Sequence, residues 1–191
     1  DFIRLGDKIL FSLQTVPNGF ELWRTDGTEA GTGPFLSQLA GMEILAARGF
    51  ARVGDWAFFV ESFTGGPAPL AVTDGTAGGT RVFADLLPFV GSAEEGYEPV
   101  ALSDRLVLAA TSGGSAQLWA VIPTELVPEV LTSLVDAFPI RRLAAQAIGD
   151  RALFVATLPA PPSDSRDHLF LSDGTAIGTI DVAVGCDAAG S

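Results

Sequence analysis

One cysteine, one histidine, one tyrosine, one asparagine and one lysine occur in 191 residues, and each scarcity excludes something. Cys186 alone cannot close an internal disulfide, so stability must come from a packed core, and an inert small residue is the expectation for it. A structural zinc site takes about four Cys or His ligands and a catalytic one about three. Cys186 and His168 supply too few for either, so neither a metal nor any other cofactor is expected. Asn18 precedes Gly-Phe, which is no glycosylation acceptor. Eighteen consecutive apolar residues occur nowhere, so no spanning helix and no membrane insertion are expected. The opening Asp1-Phe2-Ile3-Arg4 lacks both an initiator Met and the character of a signal peptide, so a processed product or a piece of something longer is expected. Positive charge is also scarce. Eleven Lys and Arg against 23 Asp and Glu leave −12, which repels phosphate backbones and argues against nucleic acid as a partner.

What the chain does have is apolar mass and punctuation. Hydrophobic residues make up 48% and charged ones 18%, so a disordered tail is excluded. Twenty-two glycines and 12 prolines break the chain too often for long helices and point to an all-β domain of short strands.

The punctuation is periodic. Asp-Gly-Thr-x-x-Gly-Thr occurs at Asp26–Thr32, Asp74–Thr80 and Asp173–Thr179, the first two copies 48 residues apart. One further step reaches Ile122, where the string has decayed to Ile122-Pro123-Thr124-Glu125-Leu126-Val127-Pro128, although Gln117-Leu118-Trp119 still matches Glu21-Leu22-Trp23. A second landmark runs in register: Gly6-Asp7, Gly54-Asp55, Ser103-Asp104 and Gly149-Asp150, each between apolar runs, read as tight hairpin turns. Four repeats of about 48 residues follow, over 1–42, 43–97, 98–139 and 140–191.

Each repeat reads as four short antiparallel strands, a to d. In the second they fall within Ile44–Val53, then at Trp56–Glu61, Leu70–Thr73 and Thr80–Ala84. In the first, Phe2–Leu5 is expected as strand a beside Ile9–Leu13, and in the last, Thr179–Val184 as strand d. The b strands, such as Ala57-Phe58-Phe59-Val60 and Leu106-Val107-Leu108-Ala109, are apolar on both faces, as strands covered from both sides are. Stacked four-stranded blades satisfy this. The expected fold is a single β-propeller domain over 1–191, either a small four-bladed ring or part of a larger propeller, with a β-solenoid as the runner-up.

The string Glu21-Leu22-Trp23-Arg24-Thr25-Asp26-Gly27-Thr28 resembles the ELWxxDGT repeat. That resemblance implies propeller-like blades in exported bacterial proteins, and so an extracellular or outer-surface location. The second and fourth copies keep the turn and lose the Glu and Trp; the third departs at nearly every turn position. The motif also looks like the Asp-box of sialidase-type propellers, where such a turn is structural.

In that turn, Asp26, Asp74 and Asp173 are expected to fold back onto backbone N–H groups, Gly27, Gly75 and Gly174 to take the left-handed conformation, and Thr28, Thr76 and Thr175 to cap what is left. One carboxylate per turn is too few for calcium. No nucleophile elbow accompanies His168, expected in a solvated loop, and no recurrent carboxylate pair suits glycoside hydrolysis. Tyr97 with Arg141-Arg142 is the sole trace of sialidase-like chemistry. Candidate binding residues lie in two irregular loops: Phe89, Glu94, Glu95 and Tyr97 between strands d and a, and Asp164 and Asp167 between b and c of the last repeat. Ile122, Leu126 and Val127 in the decayed turn are candidates for an interface. These expectations describe a non-enzymatic module for a protein partner or a second copy, with a glycan as the alternative ligand and a sialidase-like enzyme as the alternative class.

Overall fold

The structure is a computed structural model that describes residues 1–15, 19–36, 38–39, 42–43, 46–62, 69–83, 86–88, 99–112, 115–133, 143–160 and 164–182. Among these there is no helix. The glycine-aspartate dipeptides turn the chain as their chemistry requires. Pairs Leu5 with Lys8, Val53 with Trp56 and Ile148 with Arg151 leave two residues in each turn. Gly6, Gly54 and Gly149 sit at φ 61°, 58° and 62°, a region closed to most side chains. The fourth turn, Ser103-Asp104, is closed by the Leu102 N–H on the Arg105 carbonyl at 2.9 Å.

Four antiparallel sheets result, each contiguous in the chain. The first is β1 (Phe2–Leu5), β2 (Lys8–Thr15), β3 (Gly19–Thr25) and β4 (Gly33–Leu36). A small ladder of β5 (Gln38–Leu39) and β6 (Met42–Glu43) follows. The second sheet is β7 (Ala46–Val53), β8 (Trp56–Ser62), β9 (Leu70–Thr73) and β10 (Arg81–Phe83). The third has five strands, the two-residue β11 (Leu87–Pro88), β12 (Val100–Ala101), β13 (Leu106–Ser112), β14 (Ser115–Val121) and β15 (Glu129–Ser133). The fourth is β16 (Leu143–Ile148), β17 (Arg151–Ala160), β18 (Asp164–Ser172) and β19 (Ile180–Asp181). Phe2–Leu5 pairs with β2 as expected. Antiparallel, chain-contiguous sheets exclude the solenoid, whose successive coils pair in parallel.

The chain divides into two compact units, 1–88 and 89–191, with two sheets in each. Both cores use the same repeat positions. In the first unit Leu5 and Leu10 pack on Ala57, and Leu22 on Phe59 and Ala71. In the second, Leu102, Val107 and Leu118 pack with Ala152, Phe154 and Phe170. Counted from the hairpin Asp, the leading sheet contributes positions −2 and +3, and the following sheet contributes +2 and +4. A bulge recurs as well. Between Leu22 and Trp23 the partner strand carries the extra Phe35, and between Leu118 and Trp119 it carries the extra Leu131, again at equivalent positions.

Coverage of the b strands differs from the expectation at the two terminal sheets. Ala57 to Val60 and Leu106 to Ala110 are buried throughout, so β8 and β13 are covered on both faces. In β2 only Leu10 is buried, and in β17 only Ala152 and Phe154 are buried among residues 151–155. An apolar face permits burial, but burial takes a second sheet packed on it, which the strand's own residues do not decide.

Phe154 lies fully buried in the second unit. Phe154→Ala should cost about 3–5 kcal/mol in chemical denaturation, whereas Ile180→Ala, at a half-exposed site, should stay within about 0.5 kcal/mol.

Candidate functional site

The three Asp-Gly-Thr turns fold into the same hydrogen-bonded knot. The Thr28 amide and hydroxyl both donate to Oδ1 of Asp26, at 2.9 and 2.7 Å. Thr76 does so on Asp74 at 2.8 and 2.7 Å, and Thr175 on Asp173 at 2.9 and 2.7 Å. The Thr28 hydroxyl in turn accepts from the Gly31 N–H at 2.9 Å, as Thr76 and Thr175 accept from Gly79 and Gly178. Gly27, Gly75 and Gly174 take φ 91°, 86° and 85°, the left-handed conformation the turn demands.

A second relay starts one residue before the Asp. The Gly27 N–H donates to Thr25 Oγ1 at 3.0 Å, Thr25 Oγ1 lies 2.6 Å from Thr32 Oγ1, and Thr32 donates to the Thr28 carbonyl at 2.6 Å. Because the Thr32 proton is committed to that carbonyl, Thr25 must be the donor between the two hydroxyls. Thr73 with Thr80, and Ser172 with Thr179, repeat the arrangement. Thr73 and Ser172 are fully buried, and their hydroxyls are satisfied inside the turn. Sequence reasoning missed this residue, although Thr, Thr and Ser before the three intact aspartates were the signal. The decayed copy has Val121 and Ile122 there, so it has neither hydroxyl nor carboxylate.

The second glycine is fixed by contact. A Cβ on Gly31, Gly79 or Gly178 would fall on the carboxylate of Asp26, Asp74 or Asp173.

Each paired sheet is also latched to its neighbour's turn. Arg24 Nη1 donates to the Gly75 carbonyl at 2.9 Å, and Arg105 Nη1 donates to the Gly174 carbonyl at 2.8 Å. Asp104 aims the latter, holding Nε and Nη2 at 2.9 Å each. Arg24 comes from β3 and Arg105 from the turn just before β13, yet they reach equivalent glycine carbonyls. Neither was foreseen from the sequence. A cleft of about 190 Å³ lies beside the first latch, lined by Leu5, Lys8, Asp55, Asp74 and Gly75 among others.

The hydroxyl of Thr28, then its amide, holds the Asp26 carboxyl below the ordinary carboxylate range, and Thr175 acts likewise on Asp173. Arg105 lowers Asp104, and Asp104 raises Arg105 in return. Asp26 and Asp173 are therefore charged acceptors serving their own backbone. Among the described residues no group of three or more His, Cys, Asp or Glu could hold a metal ion.

The other candidates are placed as follows. Phe89, Glu94, Glu95 and Tyr97 lie outside the described residues, as do Arg141, Arg142 and Cys186. Asp164 and Asp167 are not loop residues: they stand in β18 opposite Ala160 and Thr157, because the hairpin strands account for all but 161–163 of that stretch. His168 is also in β18 rather than in a loop, its Nδ1 2.7 Å from Asp181 Oδ2 and its ring stacked on Phe170 with centroids 6.1 Å apart. In the decayed turn Leu126 and Val127 are each 78% exposed, Ile122 is half-buried and Pro123 is buried.

No family model and no curated protein matches the chain. Among solved structures it is similar to a puromycin hydrolase mutant complexed with PGG, at 18% identity and a TM-score of 0.48 over 96% of this chain and 29% of that one. It is also similar to the catalytic domain of a GH62 α-L-arabinofuranosidase from Coprinopsis cinerea, at 11% identity and a TM-score of 0.40 over 97% of this chain and 67% of the other. The chain thus spans less than a third of the hydrolase's length.

Two outcomes test the turn. Gly79→Ala should destabilise by about 1–3 kcal/mol, because the Asp74 carboxylate must move. Gly78→Ala, whose Cβ meets nothing within 4 Å, should be close to neutral in the same thermal melts. Asp173→Asn keeps the acceptor oxygen and removes the charge. With the folded pKa depressed, the charge contributes above the unfolded value of about 3.9 and is lost as pH falls through the lower folded value. Melting curves of wild type and Asp173→Asn should therefore differ at neutral pH and converge in acid.

Proposed function

We propose that the chain is a β-propeller module of an exported protein, outside the cell or on its outer surface, that works by binding another protein rather than by catalysis. The fold part of this reading, with the sheets as blades of one domain over 1–191, is supported by the 48-residue repeat, by four antiparallel sheets that succeed one another along the chain, and by core positions that recur in both units. The resemblance of Glu21–Thr28 to the ELWxxDGT repeat supports the location.

One observation carries the binding part. Three of the four equivalent turns close on their own polar groups, the last of them with a single apolar side chain outward, Ile177, while the turn of the third repeat presents two adjacent ones, Leu126 and Val127, at 78% exposure each. Exposed apolar side chains are retained at a cost in solubility, and contact surfaces are where that cost is offset. The three intact turns spend their aspartates on their own backbone, which leaves those carboxylates little capacity for acid–base work.

The test is proximity labelling at the surface of the source cells, using wild type and the Leu126→Glu, Val127→Glu double variant. A protein enriched by the wild type and lost with the variant is the expected result, with both chains melting alike. Equal enrichment by both, or turnover of a glycoside by the purified wild type, would overturn the reading.

A further inference from the structure

Inside each unit one sheet stacks on the next, and the two joints use the same repeat position differently. The residue after the hairpin Asp is Lys8 in the first sheet and Arg105 in the third. Arg105 fills its joint. Its guanidinium takes both oxygens of Asp104 at 2.9 Å through Nε and Nη2, and reaches the Gly174 carbonyl at 2.8 Å through Nη1. The side chain is only 17% exposed, and a Cβ on Gly174 would fall on its stem. The Glu129 and Asp173 carboxylates favour its charge as well.

In the first unit the equivalent place is open. Lys8 is 44% exposed, and its Nζ stands 3.9 Å from Oδ1 of Asp7, the hairpin carboxylate equivalent to Asp104. A Cβ on Gly75 would meet the Leu5 and Leu10 methyls, at 3.5 and 3.9 Å, and nothing of Lys8. The head groups differ in what they can hold. A guanidinium is a planar fork that grips a carboxylate with two donors and still has others to spare, whereas an ammonium is a compact point charge. The Gly75 carbonyl is served instead by Arg24 of β3, whose equivalent in the third sheet is Ala120.

What this leaves beside Gly75 is the cleft of about 190 Å³, lined by Asp7, Lys8, Asp55 and Asp74 together with Leu5 and Leu10. Three carboxylates line it with a single ammonium. Asp74 spends Oδ1 on Thr76, and Arg52 Nη2 lies 4.0 Å from Asp55 Oδ1. Acidic residues alone would not define a ligand. Here the other unit supplies the template, because the carboxylate equivalent to Asp7 holds a guanidinium in the corresponding place.

We infer that this cleft is a guanidinium-binding site, taking from outside the group that Arg105 supplies from within at the other joint. The incoming fork pairs with both oxygens of Asp7, while Asp55 and Asp74 supply the surrounding negative charge. The Leu5 and Leu10 methyls pack against the alkyl stem, and the Gly75 carbonyl stays with Arg24. Such a group comes either from a free small guanidine or from an arginine side chain of a partner protein. The inference does not rest on the binding role of Leu126 and Val127, which belong to the third repeat.

Amide NMR titrations with methylguanidine, with the peptide acetyl-Gly-Arg-Gly-amide and with methylammonium test it. Both guanidinium compounds should shift the amides of Gly6, Asp7, Lys8 and Gly75 saturably, and methylammonium should bind at least about tenfold more weakly. Asp7→Asn should weaken binding about tenfold, through loss of a charged acceptor. Asp55→Asn, with a smaller loss, stands in if Asp7→Asn unfolds. The two Lys8 variants should move in opposite directions. Lys8→Ala removes a competing cation and tightens binding, whereas Lys8→Arg fills the cleft from within and abolishes it. A peptide that binds more tightly than methylguanidine assigns the site to an arginine of a partner protein; one that binds no more tightly assigns it to a small guanidine. Methylammonium binding as well as methylguanidine marks a merely acidic surface and overturns the inference. So does the lack of a saturable shift with either guanidinium compound, or a Lys8→Arg variant that binds as wild type does.

Discussion

The carbonyl of a left-handed glycine, offered by a turn whose aspartate and hydroxyls are bound to one another, is the atom that fixes how the paired sheets meet. Asp26, Asp74 and Asp173 bind their own Thr amide and hydroxyl, and two relays consume the remaining hydroxyls. What the turn leaves free is the outward carbonyl of the glycine, and in each unit an arginine of the leading sheet takes it at Gly75 or Gly174. A charge-assisted bond to a rigid acceptor gives the stacked sheets a fixed register that apolar contact alone, being non-directional, does not. The motif is thus a docking fixture, and its conformation and its contact role require the same residues.

That division of labour explains which substitutions the repeat tolerates. Trp23 of the first copy becomes Ala71 or Phe170, since a core position asks for apolar volume and neighbouring volumes adjust. The turn itself tolerates little, because losing the Asp strands two donors and adding a Cβ at the second glycine displaces the carboxylate. The third copy lost the whole set together. Val121, Ile122 and Pro123 replace hydroxyl, carboxylate and glycine, and the chain turns instead with the Glu125 N–H on the Ile122 carbonyl at 3.0 Å. Once freed of the knot's polar requirements, that turn could carry Leu126 and Val127 outward.

The Glu of the first copy shows how a motif residue can serve its own sheet only. Glu21 is buried and accepts from Thr15 Oγ1 at 3.1 Å and from the Trp23 indole at 3.2 Å. This holds the indole beside Phe11, with ring centroids 6.4 Å apart. Where the third copy has Gln117, the Trp119 indole nitrogen is buried without an acceptor among the described residues. The pairing of Glu with Trp in the first copy thus has a hydrogen-bond basis, and the first sheet presents an ordered aromatic face.

Much of this was legible in the residues. Glycine before aspartate between apolar runs gave the two-residue hairpins, and the Asp-Gly-Thr string gave the left-handed turns, because both are local: the atoms that decide them lie within a few residues of one another. The strands of the last hairpin were misjudged at Asp164, Asp167 and His168, where prolines and charges suggested a loop and pairing with the ten-residue β17 prevailed. Which faces are covered was not legible at all. Ile9 and Ala57 hold the same repeat position, as do Leu102 and Ile148, and nothing in their own sequence neighbourhoods separates exposed from buried. Nor did the string Ser103-Asp104-Arg105 announce that its guanidinium would reach Gly174, 69 residues away. Burial and latching are settled by which sheet lies next to which, a long-range property that local chemistry permits but does not choose.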